Sequence, residues 1–249
     1  MSVLERLMGG MFGLRSLLAG LAIVFALTVP AAAQSFNAQE QAEIRALMRD
    51  YLLRNPEVLE EAITALQARR KAQALARIEG ESRAFSLGPR NAPITIVEFF
   101  DYQCGFCHAA MDWVFATARA RNDVRVVFME MPGLGPASEE AARAAVASIR
   151  QGRYEPFHRA LMANSRELNS ARIDELARSV GVDVTRMRRD MRDPAIDALF
   201  ADVHQMASDA GGAGTPFFLI NGTPVSGFDR PGLDAALESA VRATRTRSR

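Results

Sequence analysis

Cys104 and Cys107 are the only two cysteines in the 249-residue chain, and they have the clearest capacity for chemistry. They stand three positions apart, so a disulfide between them would close too short a loop to staple a fold. A pair this close either exchanges disulfides or binds a metal or a haem. The segment around them, residues 101–108, reads Asp-Tyr-Gln-Cys-Gly-Phe-Cys-His.

The pattern on either side of the pair favours redox chemistry. Residues 94–100 form a run of β-branched and aromatic side chains that is typical of a buried central strand, and residues 109–120 suit a helix. Cys104 then lies at a strand-to-helix junction, where unpaired amide N–H groups and the helix dipole stabilise a thiolate. Such a thiolate attacks a disulfide and forms a mixed disulfide, which Cys107, one turn further along, would resolve.

Two alternatives use the same cysteines. Residues 104–108 spell the Cys-x-x-Cys-His signature of covalent haem attachment, with His108 as the proximal ligand. Against haem attachment, the buried strand before the cysteines has no role in a cytochrome, and neither does the Gly-Thr-Pro segment at residues 214–216, which is discussed below. A zinc site would add His158 or His204, but these lie far away in helical patterns, where a lone histidine is more often a surface or boundary residue. Transient copper(I) binding by the reduced dithiol would accompany redox chemistry, since thiolates suit that ion. We expect no resident metal and no cofactor.

The elements after the cysteines have the order βαβ, a helical block, then ββα. A strand–helix–strand order predicts a parallel unit. The predicted elements are a strand at 124–129, helices at 137–150, 156–162, 173–180 and 194–208, strands at 217–220 and 223–226 joined by an Asn221-Gly222 hairpin turn, and a closing helix at 233–241.

Residues 38–80 are predicted to form two amphipathic helices, separated from the main domain by the turn-rich tract 86–93. Asn55-Pro56 fits an N-cap followed by proline at the first position of the second helix. Two short helices cannot bury their apolar stripes against each other alone, so they need the main domain or other copies of the chain. The stripes consist of Ile44, Leu47, Met48, Tyr51 and Leu52, then Val58, Leu59, Ala62, Ile63 and Leu66.

The first 33 residues have the layout of a secretory signal peptide. Arg6 and Arg15 precede an uncharged apolar stretch at 17–29, and Pro30 and three alanines follow it. The stretch is shorter than the ~20 residues that a membrane-spanning helix needs. We therefore predict export with cleavage near Ala33. The formal net charge of +1 gives no global field that would favour nucleic acid as a partner.

Two segments resemble a known family. Residues 97–108, Val-Glu-Phe-Phe-Asp-Tyr-Gln-Cys-Gly-Phe-Cys-His, resemble the active-site segment of DsbA-like periplasmic oxidoreductases, and residues 214–222 resemble their cis-proline segment. The resemblance covers roughly residues 84–243. Residues 38–71 resemble the N-terminal region of suppressor-of-copper-sensitivity protein C relatives, where that region drives self-association. The resemblance implies an α/β thioredoxin-like fold with an inserted helical block. The implied domains are a signal peptide at 1–33, an N-terminal helical oligomerisation segment at 34–82 and a DsbA-like domain at 83–249, with the insertion at about 137–210.

The resemblance also assigns roles to individual residues. Cys104 matches the attacking cysteine and Cys107 the resolving cysteine, so that Cys104–Cys107 would be the redox-active disulfide. Pro216 matches a proline whose preceding peptide bond is cis, which would hold the Thr215 backbone beside the sulfurs to pair with substrate. Glu98 matches a buried acid that takes up or relays the proton of the resolving thiol, and burial without a partner should raise its pKa.

The chain departs from the family's strongly oxidising members between the cysteines. Gly105 and Phe106 replace a Pro-His pair, so one stabiliser of the thiolate is missing and a less oxidising site is expected. Gly-Phe resembles the Gly-Tyr of disulfide isomerases, and Thr215 before the proline is also an isomerase feature. Whether His108 faces the sulfurs is not set by the sequence.

The expected function is disulfide exchange in exported proteins in the periplasm. Isomerisation or reduction is favoured, with a DsbA-type oxidase as the alternative and a copper-tolerance protein as an alternative of another class. The expected partners are unfolded or misoxidised exported proteins, a membrane redox partner that resets the dithiol, and further copies of the chain in a dimer or trimer through residues 38–80. No nucleic acid is expected.

Overall fold

The computed structural model describes residues 36–247 and divides them into two compact units. The first unit, up to Glu60, holds helix α1 (Ala38–Arg54) and the start of α2 (Glu57–Gly80). The predicted signal peptide lies outside the described residues. The second unit holds the rest of α2, then β1 (Phe85–Leu87), β2 (Ile94–Phe100), α3 (Gly105–Ala120), β3 (Val124–Glu130), α4 (Pro136–Ile149), α5 (Tyr154–Ala163), a 3₁₀ turn (Ser165–Glu167), α6 (Ser170–Ser179), α7 (Val184–Asp190), α8 (Pro194–Asp209), β4 (Phe217–Ile220), β5 (Thr223–Ser226) and α9 (Arg230–Arg247).

Helix α1 begins at a capping box and has no buried residue. The Asn37 side chain accepts from the N–H groups of Gln39 and Glu40, and the Glu40 carboxylate accepts from the Asn37 N–H. The second helix begins at Glu57, where Asn55-Pro56 predicted its start, but the predicted N-cap role of the Asn55 side chain was wrong. Its backbone N–H and its side-chain amide both donate to the Tyr51 carbonyl, at 2.9 and 2.7 Å, so it ends α1 instead. Across residues 36–247, no helix combines the length and the apolar character needed to cross a membrane.

The sheet of the second unit has five strands in the order β1-β3-β2-β4-β5. Strands β2 and β3 are parallel, as the strand–helix–strand order predicted, and β4 pairs antiparallel with β2. Strand β5 follows β4 through a hairpin in which Asn221 and Gly222 both have positive φ, 45° and 82°, as a type I′ turn requires. The short edge strand β1, which pairs antiparallel with β3, was not predicted.

Helices cover the sheet, and this explains the continuous apolar run of β2. The Phe115 ring of α3 lies 5.5 Å from the Phe128 ring of β3, and the Trp113 ring lies 6.0 Å from the Phe218 ring of β4. Nε1 of Trp113 also donates to Asp234 on α9 at 2.8 Å. The central strand is therefore held beneath the helix that begins at the cysteine pair.

A block of five helices, α4 to α8, lies between β3 and β4. The thioredoxin-like fold with an inserted helical block is thereby confirmed. Helix α7 was not predicted because its seven residues are too short for a periodic signal. In the second unit, Ala74 and Ile78 of α2 are each 1% exposed and belong to the core. The predicted boundary after residue 82 stays a prediction, but the C-terminal part of α2 packs with the main domain.

Candidate active site

The cysteine pair lies where β2 gives way to α3. Cys104 is the N-cap residue of α3 with extended backbone angles, and Cys107 sits in the first turn of that helix. Cys104 is 7% exposed and Cys107 is 0% exposed, and both thiols are free. Only the first sulfur can therefore meet another molecule without a rearrangement.

The two thiols differ strongly in acidity. A hydrogen bond from the Cys107 thiol is the largest cause that lowers the pKa of Cys104 to about 5, and Thr215 and the N–H groups of Cys107 and Phe106 add to it. Burial raises the pKa of Cys107, and its interaction with Cys104 raises it further. At neutral pH the accessible sulfur is a thiolate and the buried one is a protonated donor.

The loop before β4 comes directly against Cys104. The Thr215–Pro216 peptide bond is cis, and the Sγ of Cys104 lies 3.2 Å from the Thr215 carbonyl oxygen. The Pro216 carbonyl accepts from the Gly227 N–H at 2.8 Å, which ties the loop to the end of β5. Within residues 36–247, neither the N–H nor the carbonyl of Thr215 has a backbone hydrogen-bond partner, and the carbonyl contacts only the Cys104 sulfur, so an extended peptide could pair with this backbone.

Glu98 is 2% exposed in the middle of β2. Burial raises its pKa to about 8, and the nearby Cys104 charge adds to the shift. Glu98 also disfavours ionisation of Cys107. The structure therefore places a carboxyl with the predicted raised pKa within electrostatic reach of both sulfurs.

The other predicted residues have distinct positions around the pair. Phe106 is 69% exposed, and a Cβ on Gly105 would meet no atom within 4 Å. Nε2 of His108 lies 3.0 Å from the Tyr102 carbonyl oxygen, and its Nδ1 lies 3.3 Å from Oγ of Ser165. Both ring nitrogens of His108 are thus engaged away from the sulfurs.

Asp101, three residues before Cys104, joins the active-site loop to a groove. Its carboxylate accepts from the Gln103 N–H at 2.7 Å and, through the other oxygen, from the N–H groups of Gly133 and Leu134 at 2.7 and 3.0 Å. Asp101, Gly133 and Leu134 border a groove of about 330 Å³. The groove is lined by Asp101, Met131, Gly133, Leu134, His204, Ala207, Ser208, Gly212, Ala213, Gly214 and Thr215.

A buried cluster behind the active-site loop was missed by the sequence reasoning. Oε1 of Glu130 accepts hydrogen bonds from the hydroxyls of Tyr102, at 3.0 Å, and Tyr154, at 2.8 Å. The Tyr102 hydroxyl also lies 3.0 Å from Nδ1 of His158. We call these four residues the acid–tyrosine cluster. Glu130 ends an apolar strand two residues before Pro132, and that unusual position was the only sequence signal.

The histidines that a zinc site would need lie apart from the cysteines. His158 was expected at a surface or boundary, and this was wrong: it is 1% exposed because it shares the buried face of α5 with Phe157 and Leu161. His204 is exposed, and its Nε2 lies 3.0 Å from the Pro132 carbonyl oxygen. Among the described residues, no group of three or more His, Cys, Asp or Glu side chains could hold a metal ion.

Two family models match the sequence. Residues 32–73 match the N-terminal domain of the copper resistance protein ScsC, and residues 129–238 match the DSBA-like thioredoxin domain. The second match begins after the cysteine pair, so the pair itself lies between the two matched regions.

Solved structures are similar over most of the chain. A thioredoxin-like oxidoreductase from Silicibacter pomeroyi is 38% identical with a TM-score of 0.63, and the match covers 66% of this chain and 96% of that one. A linker-deletion variant of ScsC from Proteus mirabilis is 25% identical with a TM-score of 0.65, covering 85% of this chain and all of that one.

Curated relatives include larger proteins. The Na⁺/H⁺ antiporter NhaA 1 of Salinispora arenicola is 32% identical over 165 residues, which is 65% of this chain and 25% of the antiporter. The chain thus spans about a quarter of the length of the curated relatives that it matches.

Proposed function

Because this chain belongs to the DsbA-like thioredoxin family of thiol–disulfide oxidoreductases, we propose that it exchanges disulfides in other proteins through Cys104 and Cys107. The observation that carries the proposal is the contrast between the two sulfurs. The accessible one has a pKa lowered to about 5 and lies 3.2 Å from the Thr215 carbonyl, while the buried one keeps its proton. Attack and resolution need this division.

In the first step, the Cys104 thiolate attacks one sulfur of a client disulfide. A Cys104–client S–S bond forms as the client S–S bond breaks, and the second client sulfur leaves as a thiolate that takes a proton from water. In the second step, Cys107 loses its proton and attacks Cys104. The Cys104–Cys107 disulfide forms, and the client sulfur leaves. The client has then been reduced and the enzyme oxidised; the reverse sequence oxidises a client dithiol.

Glu98 suits the proton transfer of the second step. It is buried, and its pKa of about 8 lies near neutral pH, where a group that both takes up and returns a proton works best. The proton of Cys107 would pass to the Glu98 carboxylate, directly or through a water molecule.

The client chain would bind along the Thr215 edge and the adjoining groove. The Thr215 N–H has no backbone partner within residues 36–247, and the Thr215 carbonyl contacts only the Cys104 sulfur, so both can offer strand-like hydrogen bonds that do not depend on client sequence. The exposed side chains of Phe106 and Leu134, 69% and 55% accessible, offer apolar contacts to a client that is not fully folded. We infer that the clients are unfolded or misoxidised exported proteins, and that a membrane redox partner resets the dithiol.

We favour isomerisation or reduction over oxidation as the direction of exchange. We also propose that the chain is exported to the periplasm and that it forms oligomers through residues 38–80. Helix α1 supports the last point, since Leu47, Met48 and Tyr51 are 69%, 57% and 55% exposed in the single chain. An oligomer presents several Cys104 sites around a shared space, which suits the reshuffling of a misoxidised client.

The direction of exchange can be tested with two assays on the full mature chain. We expect the reduced protein to reactivate scrambled ribonuclease faster than the oxidised protein oxidises reduced ribonuclease. Faster oxidation than reactivation would make the oxidase alternative the better account. Cys104→Ser, a change of one atom, serves as the inactive control in both assays.

A copper(I) role is a second candidate, favoured by the match of residues 32–73 to a copper resistance domain. Two thiolates three residues apart are donors that copper(I) prefers, although Cys107 is fully buried. Competition with a chromogenic copper(I) chelator tests it. Binding that is lost in both Cys104→Ser and Cys107→Ser would support this role, and binding that survives in both would refute it.

A further inference from the structure

The acid–tyrosine cluster is not used by the exchange steps, yet it touches the active-site loop. Tyr102 is 0% exposed and stands two residues before Cys104. Its hydroxyl bonds Glu130, and its backbone carbonyl oxygen lies 3.0 Å from Nε2 of His108 in α3. Tyr102 therefore connects the end of β3 with both the loop and the helix that hold the cysteine pair.

The two carboxyl oxygens of Glu130 differ in their hydrogen bonding. Oε1 accepts from the hydroxyls of Tyr102 and Tyr154, whereas Oε2 is buried and has no hydrogen-bond partner among the described residues. Glu130 forms no ion pair with a cation in residues 36–247. An ionised carboxylate in such a site would be an unpaired buried charge, which is strongly disfavoured.

Within residues 36–247, the groups that hydrogen-bond to Glu130 carry no positive charge. Glu98 and Glu130 lie on the same face of the sheet, because the register pairs Glu98 with Phe128 and Phe100 with Glu130. Their Cα atoms are then diagonal neighbours roughly 8 Å apart. His158 is buried, which lowers its pKa to about 3, and the charge of Arg159 lowers it further, so it is neutral.

We propose that Glu130 is a positioning residue that works in its protonated form, as a neutral acceptor that holds Tyr102 and thereby fixes the loop presenting Cys104. This inference rests on the proposed disulfide exchange. Burial is the largest cause that raises the pKa of Glu130; Asp101 and Glu98 raise it further, and the two tyrosine hydroxyls oppose the shift. Burial also raises the pKa values of Tyr102 and Tyr154, which keeps both hydroxyls as donors.

The protonated form makes a prediction about pH. The folded state holds a proton that the unfolded state releases above a pH of roughly 4.5. Stability from this residue is therefore complete at lower pH and is lost as the pH rises towards the folded pKa. The groups that face Glu130 are Asp101 and Tyr102 on the loop, Glu98 on β2, and Tyr154 and His158 on α5, and none becomes positively charged above neutral pH.

The test compares Glu130→Gln and Glu130→Leu in the full mature chain. Glutamine keeps a neutral acceptor oxygen, and leucine removes it. Glu238→Gln, an exposed residue on α9 whose side chain is 74% accessible, is the matched control. The readouts are the Cys104 thiolate pKa from its ultraviolet absorbance, the rate of Cys104 attack on a dipyridyl disulfide, and the unfolding midpoint between pH 4 and pH 9.

We expect Glu130→Gln to keep the rate within about twofold and to gain stability over the wild type as the pH rises, with no gain near pH 4. Glu130→Leu should slow attack by about tenfold and raise the Cys104 pKa by about one unit. If leucine prevents folding, Tyr102→Phe removes the same hydrogen bond, and we expect the same changes.

The proposal is overturned if glutamine slows attack as much as leucine, or if the leucine and Tyr102→Phe variants leave the rate and the Cys104 pKa unchanged. An unfolding curve for Glu130→Gln that parallels the wild type at every pH also overturns it. A wild type that does not react with the disulfide probe would instead refute the proposed function, and the unfolding comparison, which does not use the sulfurs, would still decide whether Glu130 holds a proton.

Discussion

The Sγ of Cys104 lies 3.2 Å from the backbone carbonyl oxygen of Thr215, although the two residues are 111 positions apart in the sequence. The helical block between them leaves the sheet after β3 and returns at β4, next to β2. Because β4 runs antiparallel to β2, the loop before β4 lies at the same end of the sheet as Cys104, which follows β2. The proposed exchange depends on this contact, since the client must meet the sulfur and a free peptide edge together.

The first prediction concerns the two thiols. Cys107→Ala should raise the Cys104 pKa from about 5 towards the ordinary thiol value, because the Cys107 thiol is the largest cause that lowers it. In Cys104→Ala, Cys107 should resist alkylation in the folded protein, because it is fully buried. Thiolate absorbance against pH in both variants checks this. A low-pKa thiol that remains in Cys104→Ala would contradict the assignment.

The second prediction concerns Glu98. Burial raises its pKa from 4.5 to about 8, so its contribution to stability is complete below about pH 4.5 and is lost as the pH rises to 8. Glu98→Gln should therefore increase the free energy of unfolding at pH 8 by up to about 4 kcal/mol.

Urea unfolding of the reduced protein at several pH values measures the Glu98 effect. The advantage of Glu98→Gln should vanish near pH 4.5, and the exposed control Glu238→Gln should show none. The same variant should resolve mixed disulfides more slowly, because Cys107 loses its proton acceptor. A pH-independent difference in stability would mean that Glu98 is already ionised when folded.

The third prediction concerns Asp101, whose carboxylate accepts three backbone N–H groups. In Asp101→Asn, the side chain keeps one acceptor oxygen, and its NH₂ group cannot accept the hydrogen bonds of the other. We therefore expect the free energy of unfolding to fall by about 2 kcal/mol. Leu134 would be held less firmly beside the groove, and KM for a peptide disulfide should rise more than kcat falls. Asp112→Asn, an exposed position on α3, is the control. An unchanged KM would mean that the groove does not take part in client binding.

Local patterns were sufficient to predict the central strand and the cysteine pair. The run at residues 94–100 and the turn Asn221-Gly222 specify their conformations through neighbouring residues, and the structure has β2 and the hairpin where they were expected. The side-chain role of Asn55 was misassigned because asparagine is strongly preferred at the N-cap of a helix, whereas here it follows the last residue of one, where it also occurs. The edge strand β1 has only three residues, too few for a recognisable alternation of apolar and polar side chains. Its extended conformation is stabilised by its pairing with β3, which the local sequence does not show.

The buried polar groups of the site could not be predicted in the same way. Glu98 was identified through the resemblance to DsbA-like oxidoreductases, and the apolar residues on both sides of it indicated that it is buried. Tyr102, Glu130 and His158 meet only after α5 packs on the sheet, and each one alone fits a surface position. Their contacts have sequence separations of 28 and 56 residues, which no local periodicity can reveal.

The fourth prediction concerns self-association through α1. Leu47→Glu combined with Tyr51→Glu should dissociate the proposed oligomer of residues 34–249, because both side chains lie on the exposed apolar stripe. Ala46→Glu, on the opposite side of α1, should leave the oligomer intact. Light scattering measures the mass, and scrambled ribonuclease measures isomerase activity, which should fall in the double variant while dithiol oxidation persists.

A wild-type chain that is already monomeric would refute this prediction and make the oxidase alternative the better account. Point variants are preferable to deleting residues 34–80, since Ala74 and Ile78 belong to the core of the second unit and their removal would damage it.

The most direct test of the account is equilibration of the chain from residue 34 onwards with defined ratios of reduced and oxidised glutathione, followed by acid quenching, alkylation and mass spectrometry. We predict a single two-electron transition between the free dithiol and a Cys104–Cys107 disulfide. Cys107→Ser should stop at one glutathione attached to Cys104, and Cys104→Ser should bind none. A chain that forms no disulfide at any ratio, or glutathione attached to Cys107, would contradict the account.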